Sequence, residues 1–135
     1  MSDKIKIAID AMGGEKSPKK IIDGIEISLK LNNKNFFYIY GNEDLLKKEI
    51  SSNKLVMQHC EIINAKDVVL DHESPLYAAK RGKESSMWKT IESLKEKRAD
   101  ISLSAGNTGA LLVISRLLLN TIEGISKPAL AALWP

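Results

Sequence analysis

Hydrophobic and polar residues follow two periods along this chain, and the switches between them predict its secondary structure. Continuous apolar runs, or alternating ones, predict buried β-strands at Lys4–Asp10, Phe36–Gly41, Cys60–Ala65 and Asp100–Ser104. Apolar residues spaced three or four apart predict helices beginning at Ser17-Pro18 and near Asn42, and helices at Pro75–Gly82, Ser86–Lys97 and Thr108–Thr121. Strands that alternate with helices predict an α/β fold, an open and mostly parallel sheet with helices on both faces.

Several helix ends carry recognisable signals. Ser17 is expected to cap the first helix with Pro18 at its first position, and Asn42 to cap the second. On the first helix, the face expected to be buried consists of Ile21, Ile22, Ile25 and Leu29.

Two features indicate that this chain has apolar surface that it does not itself cover. The helix near Thr108–Thr121 is apolar almost all round, so it should be buried on every side. Lys127–Pro135 begins like another buried strand, and no helix follows it. We expect one domain over residues 1–135, either a truncated chain or one covered by another copy.

The composition limits the classes of protein to which this chain could belong. The 135 residues are 44% hydrophobic, carry a net charge of +3 and include 5% aromatic residues, a balance too mild to indicate nucleic-acid binding. The single cysteine, Cys60, fits a reducing compartment, and the N-terminus carries no secretory signal, so we expect a cytoplasmic protein. Cys60 and its neighbour His59 should point to opposite faces of a strand, which disfavours a catalytic pair, and no zinc-type cluster is evident.

Two glycine loops follow strands and could hold an anion. One is Asp10–Gly14, with Gly13 and Gly14; the other runs from Ser104 through Gly106, Asn107 and Thr108 to Gly109. Small residues and a helix N-terminus suit phosphate or an oxyanion, although glycine also occurs in such turns for steric reasons alone. Asp10 could either orient a ligand or cap its own turn.

A third candidate is the segment containing Arg81, Lys83, Ser85 and Ser86, where two cations precede two hydroxyls at a helix start. An ordinary helix boundary with a serine cap is the alternative. Neither glycine loop matches a Walker A or a dinucleotide-binding pattern, and no nucleophile has an evident base.

Four blocks of residues, in order, closely resemble the bacterial phosphate acyltransferase (PlsX) family. They are Asp10-Ala11-Met12-Gly13-Gly14 with Pro18, Ser85-Ser86-Met87, Ser104-Ala105-Gly106-Asn107-Thr108-Gly109-Ala110, and Pro128-Ala129-Leu130-Ala131. The resemblance covers about the first two-fifths of that family's usual length. Glu15 stands where the family usually has Asp, which puts any contact of that carboxylate in doubt.

The resemblance implies an isocitrate/isopropylmalate dehydrogenase-like, phosphotransacetylase-type fold. It also implies transfer of a fatty acyl group from acyl-[acyl carrier protein] to inorganic phosphate, giving acyl phosphate for phospholipid synthesis. It implies no cofactor and no metal, a homodimer, and peripheral membrane association, at the inner face, through a later part of the family sequence.

On the same resemblance, Asp10 and Asn107 are the catalytic candidates. The candidates for substrate and phosphate binding are Gly13, Gly14, Ser104, Gly106, Thr108, Gly109, Arg81, Lys83, Ser85 and Ser86. A phosphotransacetylase-like enzyme acting on acyl-CoA and a non-catalytic anion-binding fragment are the competing interpretations.

Overall fold

A computed structural model describes residues 4–133. Its four strands are β1 (Lys6–Asp10), β2 (Phe36–Gly41), β3 (Cys60–Asn64) and β4 (Ile101–Ser104). Its six α-helices are α1 (Lys19–Leu31), α2 (Glu43–Ile50), α3 (Lys54–Gln58), α4 (Pro75–Arg81), α5 (Ser86–Lys95) and α6 (Thr108–Leu118). A single 3₁₀ turn, Gly82–Glu84, joins α4 to α5.

The four strands form one parallel sheet in the order β3-β2-β1-β4. β1 lies in the centre, so the carboxyl ends of β1 and β4 are adjacent, with Asp10 level with Ser104. The predicted α/β class and parallel sheet are therefore confirmed. This register brings the two glycine loops together, because each follows one of these two strands.

The two faces of the sheet are covered by different helices. Alternate residues of β1 and β2, including Ile9 and Phe37, pack with Ile25 of α1 and with apolar residues of α2 and α3. On the other face, α5 packs against β1, β2 and β4, and also against α6. The strand predicted at Asp100–Ser104 forms as β4, but its predicted burial is wrong on the α1 face, where Ile101 and Leu103 are 44% and 50% exposed.

Local signals at the helix ends were read correctly at Asn42 but not at Ser17. The Asn42 side chain accepts a hydrogen bond from the Leu45 amide at 3.0 Å and caps α2 as predicted. The Ser17 hydroxyl instead donates to the Gly13 carbonyl at 2.6 Å, and α1 begins at Lys19 after Pro18. The Ser17 side chain thus hydrogen-bonds to a nearby backbone carbonyl and does not cap the amides of α1.

Helix α3 was not predicted. It is five residues long, too short for a periodic pattern to stand out. Its start does carry a signal, because the Asn53 side chain accepts a hydrogen bond from the Val56 amide at 3.1 Å. Val56 is fully buried in the core of the α1 face.

Two predicted helices end early. α5 stops at Lys95 rather than Lys97, because Lys97 adopts a left-handed backbone conformation, φ 57°, and the Arg98 amide closes the turn by donating to the Ser93 carbonyl. α6 stops at Leu118 rather than Thr121, since Leu119 is extended.

One expectation for the last part of the chain is wrong. Residues 127–133 form no strand and are exposed, because a strand needs a neighbour for its backbone hydrogen bonds and this segment lies beside none; Trp134 and Pro135 lie outside the described residues. Helix α6, whose apolar surface was expected to lack cover in this chain, has Ala110 and Ile114 buried and Leu117 61% exposed.

Within residues 4–133, the helices are all too short or too polar to cross a bilayer.

Candidate functional site

Asp10 is the centre of the contact between the two glycine loops. Its side chain is buried, only 2% exposed, at the carboxyl end of β1. One carboxylate oxygen accepts hydrogen bonds from the amides of Met12 and Gly13, at 3.1 and 3.2 Å. The other accepts from the Ser104 hydroxyl at 2.7 Å, and Ser104 in turn accepts from the Gly106 amide at 3.2 Å. Asp10 therefore caps its own turn and also ties it to the loop after β4.

Glycine is required where these loops touch. A Cβ on Gly13 would lie 2.6 Å from an Asp10 carboxylate oxygen and 2.9 Å from the Gly106 amide nitrogen. Gly14 has a φ of +85°, and a Cβ there would lie 2.7 Å from the Ala105 carbonyl oxygen. We call this contact, formed by Asp10, Gly13, Gly14, Ser104 and Gly106, the loop junction.

Asn107 binds the connection between β3 and α4 and so holds it near the loop junction. Its side-chain oxygen accepts from the Ala110 amide at 3.0 Å and so caps α6. Its side-chain nitrogen donates to the carbonyls of Leu70, Asp71 and Glu73, at 3.2, 3.2 and 2.9 Å. Both ends of the Asn107 amide are engaged within the protein, which makes it a positioning residue in this structure.

The first residues of α6 are the more open part of the predicted site. Thr108 is exposed, and its hydroxyl and amide, like the amide of Gly109, make no hydrogen bond among the described residues. Gly109 is packed closely, since a Cβ there would lie 2.6 Å from the ring of Pro75. Unpaired amides at a helix N-terminus present positive potential to an anion.

Arg81 does not face this site as a free cation. Its guanidinium pairs with the carboxylates of Asp67 and Glu73 and donates to the Val68 carbonyl at 3.1 Å. The hydrogen bond to Glu73 is the main cause of a raised Arg81 pKa. Two carboxylates neutralise the cation, and the pairing fastens the connection before α4, so Arg81 has little charge left for an incoming phosphate.

The neighbouring serines divide between two situations. Ser85 caps α5 by accepting from the Trp88 amide at 3.2 Å, as the helix-boundary alternative proposed. Ser86 is fully buried, and its hydroxyl has no hydrogen-bond partner. Lys83 is exposed on the 3₁₀ turn, and the structure does not bring it into the loop junction.

Cys60 and His59 do not form a reactive pair. A ring nitrogen of His59 lies 2.9 Å from the Leu55 carbonyl oxygen. Burial raises the pKa of the Cys60 thiol to about 11, which leaves it protonated at neutral pH and poorly nucleophilic.

One feature was missed from the sequence. An apolar groove of about 380 Å³ runs between α1 and the strands β1 and β4 and ends beside the loop junction. We call it the α1 groove; its lining residues are Ile7, Ile9, Asp10, Lys20, Ile21, Gly24, Ile25, Ser28, Phe37, Leu103, Ser104 and Ala105. Gly24, in the middle of an amphipathic helix, was the available signal, because glycine weakens a helix interior.

A basic hollow adjoins this groove. It is lined by Glu15, Lys16, Lys19, Lys20 and Asp23, and Lys20 borders both spaces. Lys19 pairs with Asp23 at 2.8 Å, whereas Lys16 and Lys20 form no ion pair among residues 4–133.

Comparison with known proteins adds to this geometry. Residues 5–135 match a family described as "Fatty acid synthesis protein". The whole chain is 57% identical to a protein named phosphate acyltransferase from Pelagibacter ubique, and 40% identical to proteins of the same name from Rhodopseudomonas palustris and Xanthobacter autotrophicus. The chain spans 40%, 38% and 38% of the lengths of these three relatives.

Proposed function

The chain belongs to the fatty acid synthesis protein family, and from that premise we propose that it forms part of a phosphate acyltransferase. The reaction is transfer of a fatty acyl group from acyl-[acyl carrier protein] to inorganic phosphate, giving acyl phosphate for phospholipid synthesis. The 57% identity to a named phosphate acyltransferase over every residue of the chain is the observation that carries this assignment.

The chemistry needs positioning more than it needs reactive side chains. A phosphate oxygen attacks the thioester carbonyl carbon, a carbon–oxygen bond forms, and the carbon–sulfur bond breaks. The carrier thiolate leaves with the electron pair and takes up a proton. A thioester has a good leaving group, so aligning the two substrates and stabilising the oxyanion supply most of the required rate.

The loop after β4 offers groups for that task. The Thr108 and Gly109 amides and the Thr108 hydroxyl would bind phosphate or the developing oxyanion at the start of α6. Asp10 and Asn107 act as positioning residues: Asp10 fixes the two loops through Ser104, and Asn107 caps α6. This role differs from direct catalysis, which the sequence had suggested for both.

Association also belongs to the proposal. Exposed apolar side chains lie at the end of α6, at Leu117, and after it, where Ile122 is 81% exposed and Leu130 is exposed as well. Apolar surface of this extent favours contact with another apolar surface. We therefore include a homodimer in the proposed function. Peripheral membrane association is included on the resemblance alone, which assigns it to a later part of the family sequence.

A chimera tests the reaction. This chain replaces its aligned segment in the Pelagibacter ubique relative, and acyl phosphate is trapped with hydroxylamine after incubation with acyl-[acyl carrier protein] and phosphate. We expect turnover within about tenfold of the parent relative, and none without phosphate.

Acyl-CoA in place of the carrier-bound substrate is the matched comparison. Faster turnover of acyl-CoA would show that acyl-CoA, and not acyl-[acyl carrier protein], is the preferred acyl donor. A chimera that melts like the parent and forms no acyl phosphate from either thioester would refute the assignment altogether.

A further inference from the structure

We propose that Arg81 is a positioning residue that fixes the start of α6, where phosphate would bind, by holding the connection between β3 and α4. This inference rests on the proposed function, because it concerns the phosphate site of that reaction. Arg81 acts without touching the substrate, in contrast to the direct phosphate contact that the sequence suggested.

The connection between β3 and α4, residues 65–74, contains no helix or strand of its own. Val69 anchors its middle in the core, whereas Asp71 and His72 after it are exposed. Three carbonyls of the second half accept hydrogen bonds from the Asn107 side-chain nitrogen. Side chains from other parts of the chain therefore hold the second half of the connection in place.

Glu73 joins Arg81 to Asn107. Its carboxylate pairs with the Arg81 guanidinium, and its backbone carbonyl accepts a hydrogen bond from Asn107 at 2.9 Å. Asn107 in turn caps α6 by accepting from the Ala110 amide at 3.0 Å. The Glu73 side chain is only 11% exposed, so solvent screens the ion pair little. Arg81 thus reaches the start of α6 through three consecutive contacts.

The planar fork of Arg81 suits this task. It pairs with Asp67 in the first half of the connection and with Glu73 in the second half, and it donates to the Val68 carbonyl at 3.1 Å. A guanidinium presents several donors in a fixed arrangement, whereas a lysine ammonium is a compact point charge. One arginine therefore ties both halves of the connection together.

Steady-state kinetics of the chimera test the inference. In Arg81→Ala we expect KM for phosphate to rise by about tenfold or more, because the groups at the start of α6 lose their alignment. KM for the acyl donor and kcat at saturating phosphate should change little. A merely structural role would instead lower the apparent kcat, through loss of folded protein, and leave KM for phosphate unchanged.

Lys80→Ala is the matched control, because it removes an exposed cation from the same helix. It should leave all three constants unchanged. A rise in KM for phosphate equal to that of Arg81→Ala would show that general charge attraction, and not the contacts of Arg81, is responsible, and would overturn the inference.

Two further variants separate positioning from direct phosphate binding. Arg81→Lys keeps the charge without the fork, so it should raise KM for phosphate nearly as much as Arg81→Ala. Glu73→Ala releases Arg81 from one carboxylate and should also raise KM for phosphate, whereas a phosphate-binding Arg81 would then bind phosphate more tightly. Adding Glu73→Ala to Arg81→Ala should have little further effect, because both remove the same contact. These two variants decide the question if Arg81→Ala does not fold.

Hydrogen exchange on the 135-residue chain tests the contacts without any activity. In Arg81→Ala the amides of Glu73 and Ala110 should exchange faster, as the connection and the cap of α6 loosen. The Ile39 amide, in the central sheet, should exchange as before, which excludes global unfolding as the cause. Unchanged exchange at Ala110 would overturn the inference.

The two assays separate failure of this inference from failure of the proposed function. An active chimera whose KM for phosphate is the same in Arg81→Ala and Arg81→Lys as in the unmodified chimera would overturn the inference alone. A folded chimera that forms no acyl phosphate would refute the reaction alone, and faster exchange at Ala110 in Arg81→Ala would still support Arg81 as the residue that positions α6.

Discussion

The loop junction and the α1 groove lie next to each other and use glycine for opposite reasons. In the junction, Gly13 has backbone and carboxylate atoms within 3 Å of where a side chain would begin. In the groove, no atom of residues 4–133, apart from the adjoining part of α1 itself, lies within 4 Å of that point on Gly24. One glycine permits contact and the other leaves a space.

The difference separates a contact that internal hydrogen bonds fix from a surface that the described residues leave uncovered. In the junction, the Asp10 carboxylate is saturated by three donors, so its geometry is set before any substrate arrives. Along β4, the described residues leave apolar surface of the groove partly exposed, as at Leu103, which is 50% exposed.

Gly13→Ala is expected to have the largest effect. The added methyl group would collide with Asp10 and with the Gly106 backbone, neither of which can move without breaking hydrogen bonds. Loss of about 2–4 kcal/mol in the free energy of unfolding should follow. Urea denaturation of the variant and of the unmodified chain measures it, and a loss below about 1 kcal/mol would show that the junction is not tightly packed.

Asn107→Ala should have an intermediate effect, because it removes the cap of α6 and the three hydrogen bonds to residues 70–73. We expect a loss of about 2 kcal/mol. Hydrogen exchange should also quicken at the Glu73 amide, which donates to the Leu70 carbonyl.

Asn107→Ser provides the control for this prediction. Serine retains a capping oxygen but cannot reach the three carbonyls, so its loss should be about half as large, with the same faster exchange at Glu73. Unchanged exchange in both variants would mean that Asn107 does not hold this connection.

Gly24→Ala should have the smallest effect, and in the opposite direction. Alanine fits the helical backbone and meets no neighbour, so stability should rise by about 0.5–1 kcal/mol. Thermal unfolding measures the gain. A loss of stability would show that the space beside Gly24 is already filled, and it would erase the contrast with Gly13.

Much of the architecture was readable along the chain. The continuous apolar run at Phe36–Gly41 predicted a strand of a parallel sheet, and Cys60–Ala65 was predicted as a further strand. Asn42 predicted the start of α2. These predictions are confirmed because their signals act over a few residues. The strand predicted at Lys127–Pro135 is wrong for the complementary reason: residues 127–133 have a strand-like composition, but composition does not create a pairing partner.

Contacts between residues that are distant in sequence decided the remaining features of the candidate site. The order of residues marked both glycine loops as candidate anion sites, and the adjacency of β1 and β4 brings them into one junction. Only the folded chain shows Arg81 held by Asp67 and Glu73, or Asn107 bound to a connection 34 to 37 residues away. The local sequence determines which backbone conformation each segment prefers and which of its residues alternate between buried and exposed positions. Whether a charge is neutralised, whether two loops touch and where space is left depend on groups that meet only after folding.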